Sequence, residues 1–184
     1  MLETLFKPIR NKILAACSGG HELKNLFKTV GADYTWHLMR NLGIEERYTR
    51  DGGLLLIKIA PIKTGDTTFC TVFFTHGWGG ARTRGAKIVK LERLAQAIDA
   101  DIYVLSHEHT QNLTRDNYLF VPTWQGNKVK VKRKLLVSTG GFLGYQGYPL
   151  RSGYQPSDLG TPRIRLEKKI GSDGTIKFDI HASI

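Results

Sequence analysis

Three of the six histidines lie where predicted strands end, and imidazoles gathered at one place can bind a metal ion. His76 follows the apolar run 72–74, and His107 and His109 follow the predicted strand 101–105. The carboxyl ends of neighbouring parallel strands meet at one edge of an α/β sheet, so the three rings are expected to converge. Neutral imidazole suits zinc, manganese, iron or nickel. We therefore predict a divalent-metal site at this edge; the alternative is that each ring is simply hydrogen-bonded or exposed.

The residues between these strands predict a helix that places the second strand beside the first. From 85 to 99 the apolar residues recur at helical spacing, while Lys87 and Lys90 occupy the other side. Strand, helix and strand then form a right-handed crossover to a parallel neighbour. Because side chains alternate along a strand, His107 and His109 are expected to project from one face. The pattern predicts an α/β fold with its site at the strand ends.

A fourth histidine, His21, lies at the amino end of another predicted helix. Residues 12–18 predict a first strand, and the turn 18–20 leads into the helix. Free N–H groups and the helix dipole at that end favour a bound phosphate. His21 is therefore a candidate to act on a phosphate ester, and the alternative is a histidine beside a cap in a flexible loop.

The other segments predict one more helix and three strand pairs. The helix runs from Asp33 as its cap to Gly43 as its end. The strand pairs are 54–59 with 67–75, 117–122 with 128–138, and 163–168 with 175–180 through a turn at 172–174. Asp179-Ile180-His181 is interpreted as ordinary alternating strand. The aromatic, glycine-rich segment 140–154 is expected to cover the site, stack a base or fill a groove between layers, and all three roles stay open.

Lysines alternate with valines at the start of the strand 128–138. Lys130 and Lys132 are expected on a side that faces water, which is typical of an edge strand protected by lysines. The alternative is a basic track for a nucleic-acid backbone, in which Lys130 and Lys132 contact the phosphates.

Composition predicts a single domain spanning residues 1–184 and an anionic partner. The net charge is +11 and the pI is near 9.8, which favours phosphate esters and nucleic acid as ligands. Cys17 and Cys70 lack a paired ligand spacing, so reduced thiols and a cytoplasmic location are expected. No apolar segment reaches the ~18 residues of a membrane span, so no membrane partner is expected.

Three short motifs together resemble a known enzyme superfamily. They are Gly19-Gly20-His21-Glu22, Thr75-His76-Gly77 and Ser106-His107-Glu108-His109. Their order and spacing resemble the last three motifs of the calcineurin-like metallophosphoesterases, which read Gly-Asn-His-Glu, a His-Gly pair after a strand, and Gly-His-x-His. The resemblance extends from Pro8 to His109, and the tail 140–165 looks like that of phage or mobile-element members.

The resemblance implies a function and a role for each matching residue. It implies hydrolysis of phosphate mono- or diesters, nucleic acid among them, by a metal-activated water. His76 and His107 would bind one metal, His109 would bind the other, and His21 would protonate the leaving group. Gly20 and Glu22 would belong to the substrate-binding loop, with Glu22 as its buttress.

The departures from the family pattern change these expectations. The family's Asn, a metal ligand, is Gly20 here, and the first Gly of the last motif is Ser106. The motifs Asp-x-His and Gly-Asp-x-x-Asp, which would precede residue 1, are lacking there. Asp179-Ile180-His181 spells the first of them, and a circular permutation is the alternative to ordinary strand, but no Gly-Asp-x-x-Asp accompanies it. The implied fold is therefore a partial calcineurin-like β-sandwich flanked by helices, with the amino-terminal βαβ portion missing.

Three functional hypotheses follow from these departures. The first is a phosphoesterase that holds one metal ion rather than two, with impaired hydrolysis by this chain alone. The second is a non-catalytic nucleic-acid-binding module. The third is a split remnant whose amino-terminal half comes from another chain. We also expect the chain to be able to associate with copies of itself as a homo-oligomer.

Overall fold

The computed structural model describes residues 2–61, 67–121, 128–170 and 176–184. The α-helices are α1 (Leu2–Phe6), α2 (Lys28–Val30), α3 (Tyr34–Asn41), α4 (Arg84–Ala97) and α5 (Tyr148–Arg151), with 3-10 turns at Lys7–Lys12 and Glu45–Arg47 and a π-helical segment at Glu22–Phe27. The strands are β1 (Ala16–Cys17), β2 (Tyr48–Thr49), β3 (Gly53–Pro61), β4 (Thr67–Thr75), β5 (Ile102–Leu105), β6 (Asn112–Phe120), β7 (Lys130–Ser138), β8 (Arg163–Ile170) and β9 (Ile176–Ser183).

A mixed five-stranded sheet positions the histidine motifs. Its strand order is β3-β4-β5-β7-β6, with β4, β5 and β7 parallel and the two outer strands antiparallel to their neighbours. Thr75 pairs with Leu105, and Leu105 pairs with Ser138, so the three parallel strands end level with one another. The predicted β4-α4-β5 crossover and the pairing of β3 with β4 are confirmed.

The crossover helix α4 covers one face of this sheet. Leu91 and Leu94 pack on Tyr103, Leu105 and Leu136, all of which are buried. Full burial of one large apolar side chain stabilises a fold by roughly 1.5–3 kcal/mol, so these contacts fix the helix to the sheet. The strand ends are thereby held rigidly beneath the loops that carry His76 and His107.

The hairpin of β8 and β9 packs on the opposite face. Ile164, Leu166, Phe178 and Ile180 lie against the buried residues Cys70, Val72, Ile102, Leu135 and Val137. Asp179-Ile180-His181 belongs to β9, as the strand interpretation expects. The predicted turn at 172–174 lies outside the described residues. The sheet is therefore a middle layer between a helix and a β-hairpin, which confirms the α/β class.

The segment before β3 forms a smaller core of its own. Met39, Leu42 and Ile44 are buried there, and the Asp33 side chain caps α3 by accepting the Trp36 N–H. The prediction of a strand over 12–18 is wrong in its extent, because the 3-10 turn runs to Lys12 and β1 contains only two residues. No helix in the described ranges is both long and apolar enough to span a membrane.

The interpretation of β7 as a lysine-protected edge strand is wrong for the strand as a whole, although the start of β7, which carries the lysines, has an open edge. β7 lies between β5 and β6, and β6 forms the edge of the sheet. Near the start of β7, Val129 and Val131 are 58% and 64% exposed, while Lys132 is half-buried. The short strand β5 pairs only with the last four residues of β7, so within the described residues the part that carries Val131 and Lys132 has β6 as its one strand partner.

Candidate active site

His76 and His107 meet at the carboxyl edge of the sheet, directly beyond β4 and β5. The His107 N–H donates to the His76 carbonyl over 2.7 Å. The ring centroids lie 5.0 Å apart at an interplanar angle of 76°. Nε2 of His76 is 3.0 Å from Nδ1 of His107. The expected convergence of these two rings is confirmed.

A hydrogen bond on the far side of His107 determines which of its nitrogens carries the lone pair. Nε2 of His107 bonds the Gly79 carbonyl, which can only accept, so Nε2 carries the hydrogen. In neutral His107 the bare Nδ1 therefore faces His76. Metal-binding histidines commonly donate their second ring N–H to a carbonyl in this way. The two facing nitrogens therefore have the chemistry of metal ligands. Without a metal, the His76 N–H can donate a hydrogen bond to Nδ1 of His107.

Gly20 and His21 approach this pair from a separate segment. A Cβ built on Gly20 would lie 3.3 Å from Cδ2 of His76, so the imidazole occupies space that a longer side chain would need. The exposed His21 ring is stacked towards His107 at a centroid distance of 6.3 Å. The helix that His21 begins is π-helical over Glu22–Phe27, a conformation frequent at functional sites. Three of the four predicted histidines therefore share one surface.

Glu22 fixes the loop that carries His21. Its carboxylate accepts the Thr35 N–H at 2.7 Å, the Thr35 hydroxyl at 2.9 Å and the Gly19 N–H at 3.4 Å. Burial raises the pKa of the nearby Cys17 thiol. Glu22 thus acts as the expected buttress, and its contact with a substrate stays a prediction.

His109 turns away from the His76–His107 pair. Its φ is +51°, in the left-handed region, and the ring lies 6.0 Å from Tyr154. A Cβ on Gly141 would lie 2.9 Å from Nδ1 of His109, so the glycine permits this close packing. The prediction that His107 and His109 project from one strand face is wrong. β5 ends at Leu105, and the alternation of side chains ends with it.

Two lysines of α4 bind the loop that contains Glu108 and Thr110, a role that was not predicted from the sequence. Lys87, only 8% exposed, donates to the Glu108 carbonyl at 2.9 Å and to the Thr110 hydroxyl at 2.6 Å. Lys90 pairs with the buried Glu108 carboxylate and donates to the Trp78 carbonyl at 2.7 Å. The sequence does contain one indication of this role: Lys87 and Lys90 are three residues apart on α4, so both amines lie on the same side of the helix.

Burial and mutual repulsion keep two of the imidazoles neutral. The pKa of His76 is lowered by burial first, and then by the charges of His107, His109 and His21. Partial desolvation likewise lowers the pKa of the exposed His109, and the charges of His107 and Lys87 lower it further. Neutral imidazole is the form that binds metals or accepts a proton.

The described residues supply only part of a metal-binding shell. Across 2–61, 67–121, 128–170 and 176–184, no three His, Cys, Asp or Glu side chains are grouped to hold an ion. His76 and His107 fit a divalent metal as two nitrogen donors, whereas a tetrahedral zinc site needs four ligands. Further ligands would come from water, the substrate or a rearranged His109 or His21.

Lys130 and Lys132 lie far from the histidines. Ser138, at the histidine edge, is six residues beyond Lys132 along β7, about 20 Å at ~3.3 Å per residue. Lys132 is also paired with Asp99 at 3.1 Å and with Asp101 at 3.4 Å. The structure therefore does not bring these two lysines into the histidine site.

Comparison with known proteins gives this chain no relatives. No family model, curated protein or solved structure matches it. Its function is therefore inferred from the geometry of the histidine edge and from the three motifs.

Proposed function

We propose that this chain is a metal-dependent phosphoesterase of the calcineurin-like type that hydrolyses phosphate mono- or diesters. The observation that carries the proposal is the His76–His107 pair, whose nitrogens face each other over 3.0 Å at the carboxyl edge of the sheet. The hairpin packed on the sheet supports a partial β-sandwich of that superfamily. Sites at this edge are the rule in α/β proteins.

His76 and His107 would hold one divalent ion, Mn, Zn, Fe or Ni, and His109 would add a ligand only after a rearrangement of its loop. Such an ion would supply a Lewis acid and an activated water for attack on phosphorus. The lowered pKa of His76 favours the neutral ring at pH 7, and the Gly79 carbonyl keeps His107 in the matching tautomer.

His21 and the cationic surroundings would serve the substrate. The exposed His21 ring, 6.3 Å from His107 between centroids, is positioned to give a proton to a leaving oxygen. Arg82 lines a pocket with His107 and is exposed, so it can neutralise phosphate oxygens. The amino end of the helix that follows Gly20 adds N–H groups for the same anion.

Metal content and diester hydrolysis test this proposal together. We expect about one equivalent of metal after growth in Mn²⁺ or Zn²⁺, and Mn²⁺-dependent hydrolysis of bis(4-nitrophenyl) phosphate. His107→Ala should lose both, whereas His37→Ala, which removes an exposed histidine of α3, should lose neither. Absence of bound metal and of hydrolysis in the unmodified chain would overturn the proposal.

Weak activity is expected because no carboxylate joins the two nitrogen donors in the described parts of the chain. An amino-terminal half from another polypeptide, bearing Asp-x-His and Gly-Asp-x-x-Asp, would complete the site. The exposed Leu54, Leu56 and Phe69 on β3 and β4 support such a partner, since an apolar sheet surface favours coverage. Adding that polypeptide should then raise the rate of hydrolysis at least tenfold.

A second candidate function is non-catalytic binding of nucleic acid at β6 and β7. Lys130, Arg115 and Arg133 are exposed there, whereas the charge of Lys132 is engaged by aspartates. Phosphate contacts make such binding salt-dependent. Lys130→Glu should weaken DNA binding in low salt, and His107→Ala should leave it unchanged.

A further inference from the structure

The glycine-rich tail that follows β7 is built directly onto His109. Gly141 packs on the His109 ring, and the Ser157 hydroxyl donates to the His109 carbonyl over 2.6 Å. The Gly160 N–H donates to the Gly141 carbonyl at 2.9 Å, which closes the tail into a loop. Its aromatic residues are therefore held in a defined place beside the histidine motif.

Three rings form a continuous aromatic wall from His109 outward. The Tyr154 ring lies 6.0 Å from His109 and 6.0 Å from Tyr148 between centroids. Tyr145 and Pro149 line the same pocket. Tyr145, Tyr148 and Tyr154 nevertheless remain 40%, 52% and 41% exposed, so a ligand can reach them.

The same wall borders a cationic pocket on its other side. Tyr154 lines both the pocket that contains His109 and the neighbouring pocket that contains His107 and Arg82. Lys87 contributes a buried amine to both, and Arg82 Nη1 would lie 3.2 Å from a Cβ at Gly153. A ligand that fits both pockets carries an anionic group next to a planar ring.

We propose that the pocket between His109 and Tyr148 binds the nucleobase of a nucleotide whose phosphate occupies the His107 and Arg82 side. The inference rests on the proposed phosphoesterase function and specifies its substrate class. Stacking on an aromatic side chain contributes roughly 1–3 kcal/mol per base and accepts every base, since each has a π-face. The shared chemistry is a base joined to a phosphate, in a mononucleotide or in single-stranded nucleic acid.

Calorimetric titration with non-hydrolysable ligands tests this subsite. The probes are a 5′-phosphonate of deoxyadenosine, the same phosphonate of deoxyribose without a base, and a single-stranded oligodeoxyadenylate phosphorothioate. We expect the base to tighten binding about tenfold, from a stacking energy near 1.4 kcal/mol. Tyr148→Ala should reduce this preference to below about threefold. Phe142→Ala, in the same tail but outside the pocket lining, should preserve it.

Tyr154→Ala and Tyr154→Phe provide a second pair of variants. The preference should fall in the former and persist in the latter, because stacking needs the ring and not the hydroxyl. Equal affinity for the two phosphonates, or a preference kept in both alanine variants, overturns the subsite.

Hydrolysis of bis(4-nitrophenyl) phosphate without a base preference overturns only the subsite. A preference without metal or hydrolysis overturns the phosphoesterase function and leaves base binding standing. Tighter binding of the oligonucleotide than of the mononucleotide identifies nucleic acid as the ligand's source.

Discussion

The two ends of β5 carry clusters of titratable groups with opposite electrostatic arrangements. At the amino end, Asp101 accepts the Thr71 N–H and hydroxyl at 2.8 Å each, and Lys132 lies between Asp99 and Asp101. At the carboxyl end, His76 and His107 face each other through ring nitrogens. Charges at the first end are balanced by opposite charges within the chain, whereas the second end holds two facing imidazoles, which are the proposed metal ligands.

The directions of the pKa shifts express this difference. Partial desolvation would raise the pKa of the exposed Asp99, but the hydrogen bonds and charges of Lys132 and Lys134 outweigh it and lower that pKa. Burial would likewise lower the pKa of Lys132, and Asp99 and Asp101 reverse it. For His76 the balance is the reverse: burial and the charges of His107, His109 and His21 outweigh the raising effect of Glu22, so the pKa is lowered. The first cluster is therefore balanced by pairing within the chain, and the second is the site of the proposed function.

The largest effect should come from His76→Ala. Loss of one of two close donors should lower metal affinity at least about 100-fold, since even outer-shell changes cost 10–100-fold. Metal titration of the purified variant measures this. The matched variant Asp101→Asn should bind metal like the unmodified chain. Equal losses in both variants would contradict a functional distinction between the two ends.

Lys90→Met should produce the next largest effect, on stability. The buried Glu108 carboxylate would lose its cation, which we expect to lower the free energy of unfolding by about 2 kcal/mol. Urea denaturation measures the loss. The double variant Lys90→Met with Glu108→Leu should recover part of it, because no buried charge remains. A double variant less stable than Lys90→Met would contradict this role of the ion pair in the loop.

Asp101→Asn should have a smaller effect, restricted to stability. It weakens the charge-assisted bonds from Thr71 and the ion pair with Lys132, and we expect a loss of about 1 kcal/mol in the free energy of unfolding. Thermal unfolding at pH 7 measures it. Unchanged stability would show that this end of β5 is no more structural than the other.

The spacing of apolar residues correctly predicted β4, β5 and α4, because the same residues form the buried contacts between these elements. β4 and β5 are apolar runs, and Leu91 and Leu94 lie on one helical face over Tyr103. The meeting of His76 with His107 followed from that topology. The prediction for the lysines of β7 failed because their exposure depends on how far β5 extends beside them. The alternation of residue types within one strand gives no information about the length of its neighbour.

The orientation of His109 could not be predicted for a similar reason. Its left-handed backbone depends on a turn fixed by Lys87, Glu108 and a glycine more than thirty residues later, Gly141. The aromatic wall depends on the same contacts between distant segments. Residue types therefore indicated which histidines could act, while tertiary packing decided which of them meet.

The smallest expected effect is a difference in the pH at which each end of β5 loses stability. His76 has a folded pKa below its unfolded value near 6.5, so without metal its folded state binds fewer protons, and stability should decline as pH falls below about 6.5. Asp99 has a folded pKa below 3.8, so its contribution is present above that value and is lost as pH falls through the folded pKa. Urea unfolding of metal-free protein between pH 8 and pH 3 should show both declines. His76→Gln should weaken only the decline below about pH 6.5, and Asp99→Asn only the decline at more acidic pH. A single decline that either variant removes would mean that the two ends of β5 are energetically one cluster.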